Sequence, residues 1–305
     1  MLKQNILITG GTGFIGNKLT DLLIQRGYSV SILSRNDKQN TETISYYKWD
    51  VEKKYIDEKA VLNADYIIHL AGENIADKRW TAKRKAQILT SREQSIRLIY
   101  DVLKKNDKKP NAFISASGIG IYGALNGKTI CSENTPPEND FLGTTCQKWE
   151  AAADTIESLG IRTVKIRTGL VLGKNEGFLK KMIPIFKYGL GSALGSGKQY
   201  MPWIHIDDLC TIYLAAVQNE TMNGSYNAAV NDATTNTVFS KTLAKIYGYS
   251  IWLPKVSTFI LEIVLGEMSN IITKGRRVYS DKIEKTGFEF KYKNLETALR
   301  NCLEE

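Results

Sequence analysis

The stretch ILITGGTGFIG, residues 6–16, restricts this chain more than any other. Four apolar or β-branched residues break at once into Gly10, Gly11, Gly13 and Gly16, and an amphipathic pattern follows with Ile15, Leu19, Leu22 and Leu23 on one stripe. A strand that re-enters a helix this way turns tightly at Gly10, brings backbone close to a ligand at Gly13 and packs helix against sheet at Gly16. The free N–H groups and positive dipole end of that helix face an anion, and a diphosphate suits them. The expected binding set at the turn is Gly10, Thr12, Gly13, Phe14, Ile15 and Gly16.

The glycine turn stands in the right context. Short β-branched runs at 6–9, 30–33, 45–49, 66–70, 112–115 and 162–167 alternate with helical patterns at 14–26, 82–104 and 142–158. That alternation predicts an α/β chain with a doubly wound parallel sheet of Rossmann type, covered on both faces. After Gly173 the rhythm changes: a glycine-rich loop, YGLGSALGSGKQY, is followed by PWIHIDD and a helix over 209–218 with Asp207 as its N-cap. From Asn236 onward the pattern is mostly helical. We expect a nucleotide-binding domain over 1–173, its sheet completed by segments within 203–230. A smaller, mostly helical substrate lobe over 174–305 packs on it.

Strand ends specify the nucleotide further. The second strand closes in Ser34-Arg35, where an NAD-preferring site places a carboxylate on the ribose hydroxyls. A guanidinium suits a 2′-phosphate instead, so NADP(H) is expected in preference to NAD(H). Asp50 after the third strand is expected to contact adenine, and Leu70, Ala71 and Gly72 after the fourth to let the cofactor pass closely.

Composition removes other classes. At 305 residues, 43% hydrophobic and 24% charged, the chain buries a full core. No apolar run approaches the ~18 residues that span a bilayer; the best, FILEIVLG, carries Glu262. The first strand begins at about Asn5, leaving no room for a signal peptide, and a cytoplasmic protein without membrane partners is expected. Cys131, Cys146, Cys210 and Cys302 are scattered without a CxxC pair, and there are only two histidines, so neither a disulfide framework nor a metal site is expected. The net charge of +9 draws much of its excess from Lys83, Arg84, Lys85, Arg92, Arg97, Lys104, Lys105, Lys108 and Lys109. These surround a helix without interleaved aromatics, which reads as a solvated face and not a nucleic-acid stripe. No GxSxG elbow or complete P-loop lysine motif occurs, which argues against hydrolase and phosphotransferase chemistry.

Taken in order, ITGGTGFIG, LSR, HLAGENIADKRW, SASGIGIYG, FLGTTCQKWEAAA, IRTGLVLG, GLGSALGSGKQYMPWIHIDDL, LGEM and GFEFKYKNLETAL resemble the extended short-chain dehydrogenase/reductase superfamily. The resemblance is greatest to its atypical YfcH-like epimerase-family branch. It implies a nucleotide-binding Rossmann domain with a C-terminal substrate lobe, including a helical tail near 251–300. It also implies oxidoreductase or epimerase-like chemistry on a small, anionic or sugar-like substrate, and pairing as a homodimer. Ordinary members carry a Ser or Thr after the strand that here spans 112–115, and a Tyr-x-x-x-Lys on the next helix. The tyrosinate moves the substrate proton while the lysine lowers its pKa from about 10.

This chain departs from that pattern. Ser117 is the best match to the serine, one residue out of register against Tyr122-Gly123, and the dyad position reads Cys146-Gln147-Lys148-Trp149-Glu150. Glu150 cannot replace the lysine, because a carboxylate raises a neighbouring acid's pKa. Lys148 leaves the helix on the side away from Cys146. The strings Tyr55/Lys59 and Tyr100/Lys104 fall on return segments and read as chance matches. Proton transfer then falls to Ser117, Tyr122, Cys146 or water. Arg167 is expected to bind cofactor or an anionic substrate, and Arg79 the substrate, or each simply pairs with carboxylates. Trp80, Trp149 and Trp203 are candidate pocket walls, His69 is a core residue, and His205 a candidate substrate or ribose contact. Two readings stand: an NADP(H)-binding epimerase-like oxidoreductase without the usual dyad, or a non-catalytic NADP(H)-binding sensor or scaffold.

Overall fold

The computed structural model describes residues 3–125, 127, 129–174 and 176–303. Twelve strands are formed among them: β1 (Asn5–Thr9), β2 (Ser29–Ser34), β3 (Ile44–Asp50), β4 (Tyr55–Ile56), β5 (Tyr66–His69), β6 (Ala112–Gly118), β7 (Ile130–Cys131), β8 (Thr163–Thr168), β9 (Leu170–Leu172), β10 (Trp203–His205), β11 (Gly224–Ala228) and β12 (Arg277–Val278). The large sheet runs β11-β8-β6-β5-β1-β2-β3-β4. All its pairings are parallel except β3 with β4. Strand order therefore reverses at β1, between β2 on one side and β5 on the other. In such a sheet ligands bind in the crevice beyond the carboxyl ends of the strands flanking that reversal.

Helices α1 (Phe14–Gln25), α2 (Glu58–Leu62), α3 (Ala82–Lys105), α4 (Phe141–Glu157), α5 (Gly177–Lys187), α6 (Ile206–Gln218), α7 (Asn236–Ile246), α8 (Thr258–Leu265), α9 (Asn270–Thr273), α10 (Asp281–Glu284) and α11 (Leu295–Leu303) complete the chain. Alternation along β1 divides the core: Ile6 and Ile8 join the cluster with α1, α6, α7 and α11, whereas Leu7 joins the cluster with α2, α3 and α4. All four residues of β5 are buried, as expected of a strand covered on both faces.

Several boundaries differ from the sequence reading. The strand expected to end at Ser115 continues to Gly118, because Ser117 and Gly118 find ladder partners in Arg167 and Thr168 of β8. The helix expected from Leu209 begins at Ile206, and its N-cap is His205, not Asp207. The His205 Nδ1 accepts the Asp207 N–H at 3.1 Å, while the Asp207 carboxylate pairs with Lys18 of α1 at 3.0 Å. Of the 203–230 region, β11 enters the large sheet, whereas β10 pairs with β9 in a separate two-stranded sheet. Among the described residues no helix is long and apolar enough to cross a membrane.

Candidate functional site

The glycine turn between β1 and α1 is built by backbone contact. Gly10 has φ +70°, and a Cβ placed on it would lie 3.0 Å from the Ala71 nitrogen. The chain leaving β5 is tied down there, with the Leu70 N–H donating to the Thr9 carbonyl and the Ala71 N–H to Thr9 Oγ1, each at 3.1 Å. A Cβ on Gly16 would fall 2.3 Å from the Gly10 carbonyl oxygen. Gly13 differs: its Cβ would meet only that same oxygen, at 3.3 Å, and Gly13 and Thr12 are exposed. Gly13 is the N-cap of α1 and offers no side-chain oxygen, and the first turn carries no acid. The helix end is left open to an anion. The Phe14 ring turns away to pack on Gly173 and Gly177, and Ile15 packs on the core, so both can offer the crevice only their backbone N–H groups.

Beside this turn, Ser34 closes a tight bend, its Oγ donating to the Asn36 carbonyl at 2.8 Å and accepting the Asn36 N–H at 3.2 Å. The bend presents Arg35, whose side chain is 77% exposed and lies 3.7 Å from a Glu73 oxygen. Glu73 also accepts from Arg84 at 2.8 Å, and that hydrogen bond, reinforced by the charges of Arg84, Arg35 and Arg92, holds its carboxyl below the usual range despite partial burial. Asp50 accepts the Lys53 N–H at 3.0 Å at the end of β3. Arg35, Asp50 and the 70–72 segment thus lie at the carboxyl ends of β2, β3 and β5, on the same edge of the sheet as the glycine turn.

On the other side of β5, Ser117 and Tyr122 belong to one buried polar network, and Cys146 lies in an apolar cluster beside Tyr122. Ser117 Oγ donates to Glu150 Oε1 at 2.7 Å and Ser225 Oγ to Oε2 at 3.1 Å. Arg167 grips the same carboxylate from two nitrogens, at 2.8 and 2.9 Å. Its remaining terminal nitrogen reaches Tyr122 Oη at 3.0 Å and the Glu133 carbonyl at 3.1 Å. Tyr122 in turn donates to Asn227 Oδ1 at 2.7 Å. All four acceptor positions of Glu150 are therefore filled. Burial opposes its charge, but Arg167 outweighs that and holds Glu150 ionised, while Glu150 correspondingly raises Arg167 against the same penalty. Burial pushes the Tyr122 hydroxyl up to about 12, and Tyr122 lies in a short 3-10 turn and not in an open loop. Arg167, expected at the cofactor or substrate, has its guanidinium inside this network.

Cys146 lies on α4 against the end of β6. A Cβ on Gly118 would be 3.7 Å from its sulfur and one on Gly120 3.6 Å. Burial, and then the charge of Glu150, push the thiol up to about 12, so at neutral pH it keeps its proton. Ser117, placed on β6 by the longer strand, points at Glu150; Gly118 is the residue beside the thiol.

The remaining candidates divide. Trp149 is buried on α4, and Trp80 stacks edge-on against Phe141 at 4.6 Å between ring centroids. Trp203 is core, donating to Asp232 at 3.0 Å. His69 is fully buried, bonded to Ser95 at 2.8 Å and driven by burial to about 3. His205 is a buried helix cap stacked on Tyr292 at 3.8 Å, outside the crevice. Arg79 packs on Gly266 beside α8. Two residues assigned to a solvated face, Arg84 and Arg92, are instead buried: with Ile88, Ile96, Ile99 and Leu103 they share the inward stripe of α3. Their spacing of four from Ile88 was the available signal.

Comparison with known proteins agrees with this geometry. Residues 6–229 match the model of the NAD dependent epimerase/dehydratase family, and residues 256–302 match a domain of unknown function, DUF1731. The epimerase family protein YfhF of Bacillus subtilis is 38% identical over 301 residues, covering 98% of each chain. An epimerase family protein of Staphylococcus aureus is 34% identical over 307 residues, covering all of both. Among solved structures, the human epimerase family protein SDR39U1 (isoform 2), determined with NADPH, superposes with a TM-score of 0.87 at 29% identity over 99% of both chains. The UDP-glucuronic acid 4-epimerase of Bacillus cereus, determined with UDP-glucuronic acid and NAD, reaches 0.80 at 18% identity over 97% of each and shares the fold.

Proposed function

The chain belongs to the NAD dependent epimerase/dehydratase family, in its YfcH-like branch, and from that premise we propose that it is an NADP(H)-binding, epimerase-like oxidoreductase acting without a Tyr-Lys dyad. The observation that carries the reading is the uncapped end of α1 at Gly13, open to solvent, with Arg35 following the adjacent strand β2 and leaning on one half-buried carboxylate. The human relative, determined with NADPH, supports a phosphorylated dinucleotide. In this reading the α1 amides hold the diphosphate, Arg35 the 2′-phosphate, and Asp50 with Leu70, Ala71 and Gly72 border the adenosine half.

When bound, the nicotinamide supplies the hydride chemistry. The chain's own part is to orient the substrate and to manage a proton. Cys146 Sγ holds one at neutral pH, and Ser117 Oγ, whose hydrogen goes to Glu150, is left as an acceptor. The substrate of this reading is small and anionic or sugar-like, received between the crevice and the lobe around α8.

One observation favours a second reading, a non-catalytic NADP(H)-binding sensor: Tyr122, Glu150 and Arg167 are fully engaged with one another. Titration with NADPH and NADH, followed by incubation of stereospecifically deuterated NADPH with pooled metabolites, separates the possibilities. NADPH preference and deuterium in a product support the enzyme. NADPH binding with no labelled product supports the sensor, and preference for NADH overturns the assignment of Arg35.

A further inference from the structure

A lysine on the α4 helix normally brings a positive charge to the reacting end of such a crevice, and α4 has none there. Its counterpart, Glu150, faces Arg167, and Lys148 is exposed. A cation nevertheless lies at that end, on a different helix. The Arg92 guanidinium stacks on the Trp149 ring at 4.6 Å, and a Cβ on Gly72 would come within 3.2 Å of its central carbon. It is thus lodged between the segment leaving β5 and α4, on the side of β5 toward Cys146. One terminal nitrogen donates to the Ile88 carbonyl at 2.8 Å and to the Glu73 carbonyl at 3.1 Å, which fixes its orientation.

What Arg92 lacks is a counter-ion. It is only 8% exposed, yet among the described residues it forms no ion pair, since the Glu73 carboxylate is taken by Arg84 and Arg35. Its Nε has no acceptor, and neither has the Nε1 of the Trp149 beneath it. A buried guanidinium that has carbonyls and a ring but no paired carboxylate is costly. Held by two carbonyls and a ring, this cation is left to be matched by an anion from outside the chain.

Resting on the cofactor reading above, we propose that Arg92 stands in from α3 for the missing lysine and binds the oxygens of the nicotinamide half of the dinucleotide. Trp149 serves as the platform that holds it there.

The test compares two probes on the full-length protein. NADPH spans the whole crevice, whereas adenosine 2′,5′-bisphosphate carries only the adenosine end. Calorimetric titration of the wild type, Arg92→Met, Arg92→Gln and Arg92→Lys reads the ratio of the two affinities within each folded variant. We expect Arg92→Met and Arg92→Gln to lose at least tenfold for NADPH with bisphosphate affinity unchanged, and Arg92→Lys to recover part of that loss. Should Arg92→Met not fold, the Gln and Lys variants give the same ratio. Equal losses for both probes would reduce Arg92 to a packing element beneath Gly72 and overturn the inference, as would undiminished NADPH affinity. A wild type that binds neither probe overturns the cofactor reading itself.

Discussion

The two ends of the crevice are built on opposite plans. At the α1 end the chain withholds its side chains: Gly13 supplies no cap, Thr12 is exposed, and Arg35 reaches one carboxylate at 3.7 Å. At the α4 end nearly every polar atom is answered from within, through Glu150, Arg167, Ser117, Tyr122 and Asn227. The first arrangement leaves its backbone donors open, and the second pairs most of its polar groups with one another. The contrast separates binding from proton chemistry, and it locates what is distinctive in this chain at the closed end.

The largest effect should come from opening that closed end. Arg167→Met leaves Glu150 buried and unpaired, and should destabilise the fold by about 3–5 kcal/mol in urea unfolding, the range for breaking a buried pair. Glu150→Gln should behave similarly but remove the acid sensitivity of the pair. Because the folded pKa of Glu150 is lowered, its contribution is full above the unfolded value near ~4.3 and is lost as pH falls through the folded one. A wild-type protein whose stability matched Arg167→Met at neutral pH would break the comparison.

Next in size are changes at the open end, which should leave stability intact and alter binding. Arg35→Ala removes a charge-assisted contact of about 1.5–3 kcal/mol, roughly 10–100-fold in NADPH affinity, while NADH binding holds steady in a fluorescence titration. Gly13→Ala, whose φ of −87° suits alanine, should fold normally and bind both dinucleotides several-fold more weakly. Unaltered binding would mean that the uncapped helix end is not the diphosphate seat. Smaller still, Glu73→Gln frees Arg35 from its only carboxylate among the described residues and should raise NADPH affinity a few-fold, with the opposite sign to Arg35→Ala, while, unlike the other two, costing some stability because it also unpairs the buried Arg84.

The smallest effect at neutral pH concerns Cys146. Native protein mixed with a thiol-reactive disulfide should leave it unmodified. The thiol is held near about 12 in the folded chain but ionises near ~8.5 when unfolded. Between those values the unfolded chain binds fewer protons, so stability should fall as pH rises through that window. Rapid labelling of Cys146 at pH 7 would contradict the closed character of the α4 end.

The same contrast explains what could be read in the sequence. The open end is specified by local backbone demands: Gly10 needs its φ of +70° and Gly16 cannot carry a Cβ, and both show as glycines next to a strand. The closed end is assembled from residues 17 to 105 positions apart, such as Arg167 with Glu150 and Tyr122 with Asn227, and no spacing rule connects them. That β6 runs past Ser115 was not legible because its length depends on pairing with β8, and which carboxylate Arg167 pairs with was not legible because Glu150 lies on another element. Arg92 was legible but was counted as surface charge, although residues 88, 92, 96 and 99 lie on one side of α3.

The close approach of Gly16 to Gly10 carries a last consequence. Main chain rests on main chain there, with no side chain between, so the tip of α1 is located by backbone alone. Drift in the surrounding sequence can reshape what enters from the lobe while this fixed point keeps its place. A scaffold anchored that way lets descendants change their chemistry and still present one unaltered seat.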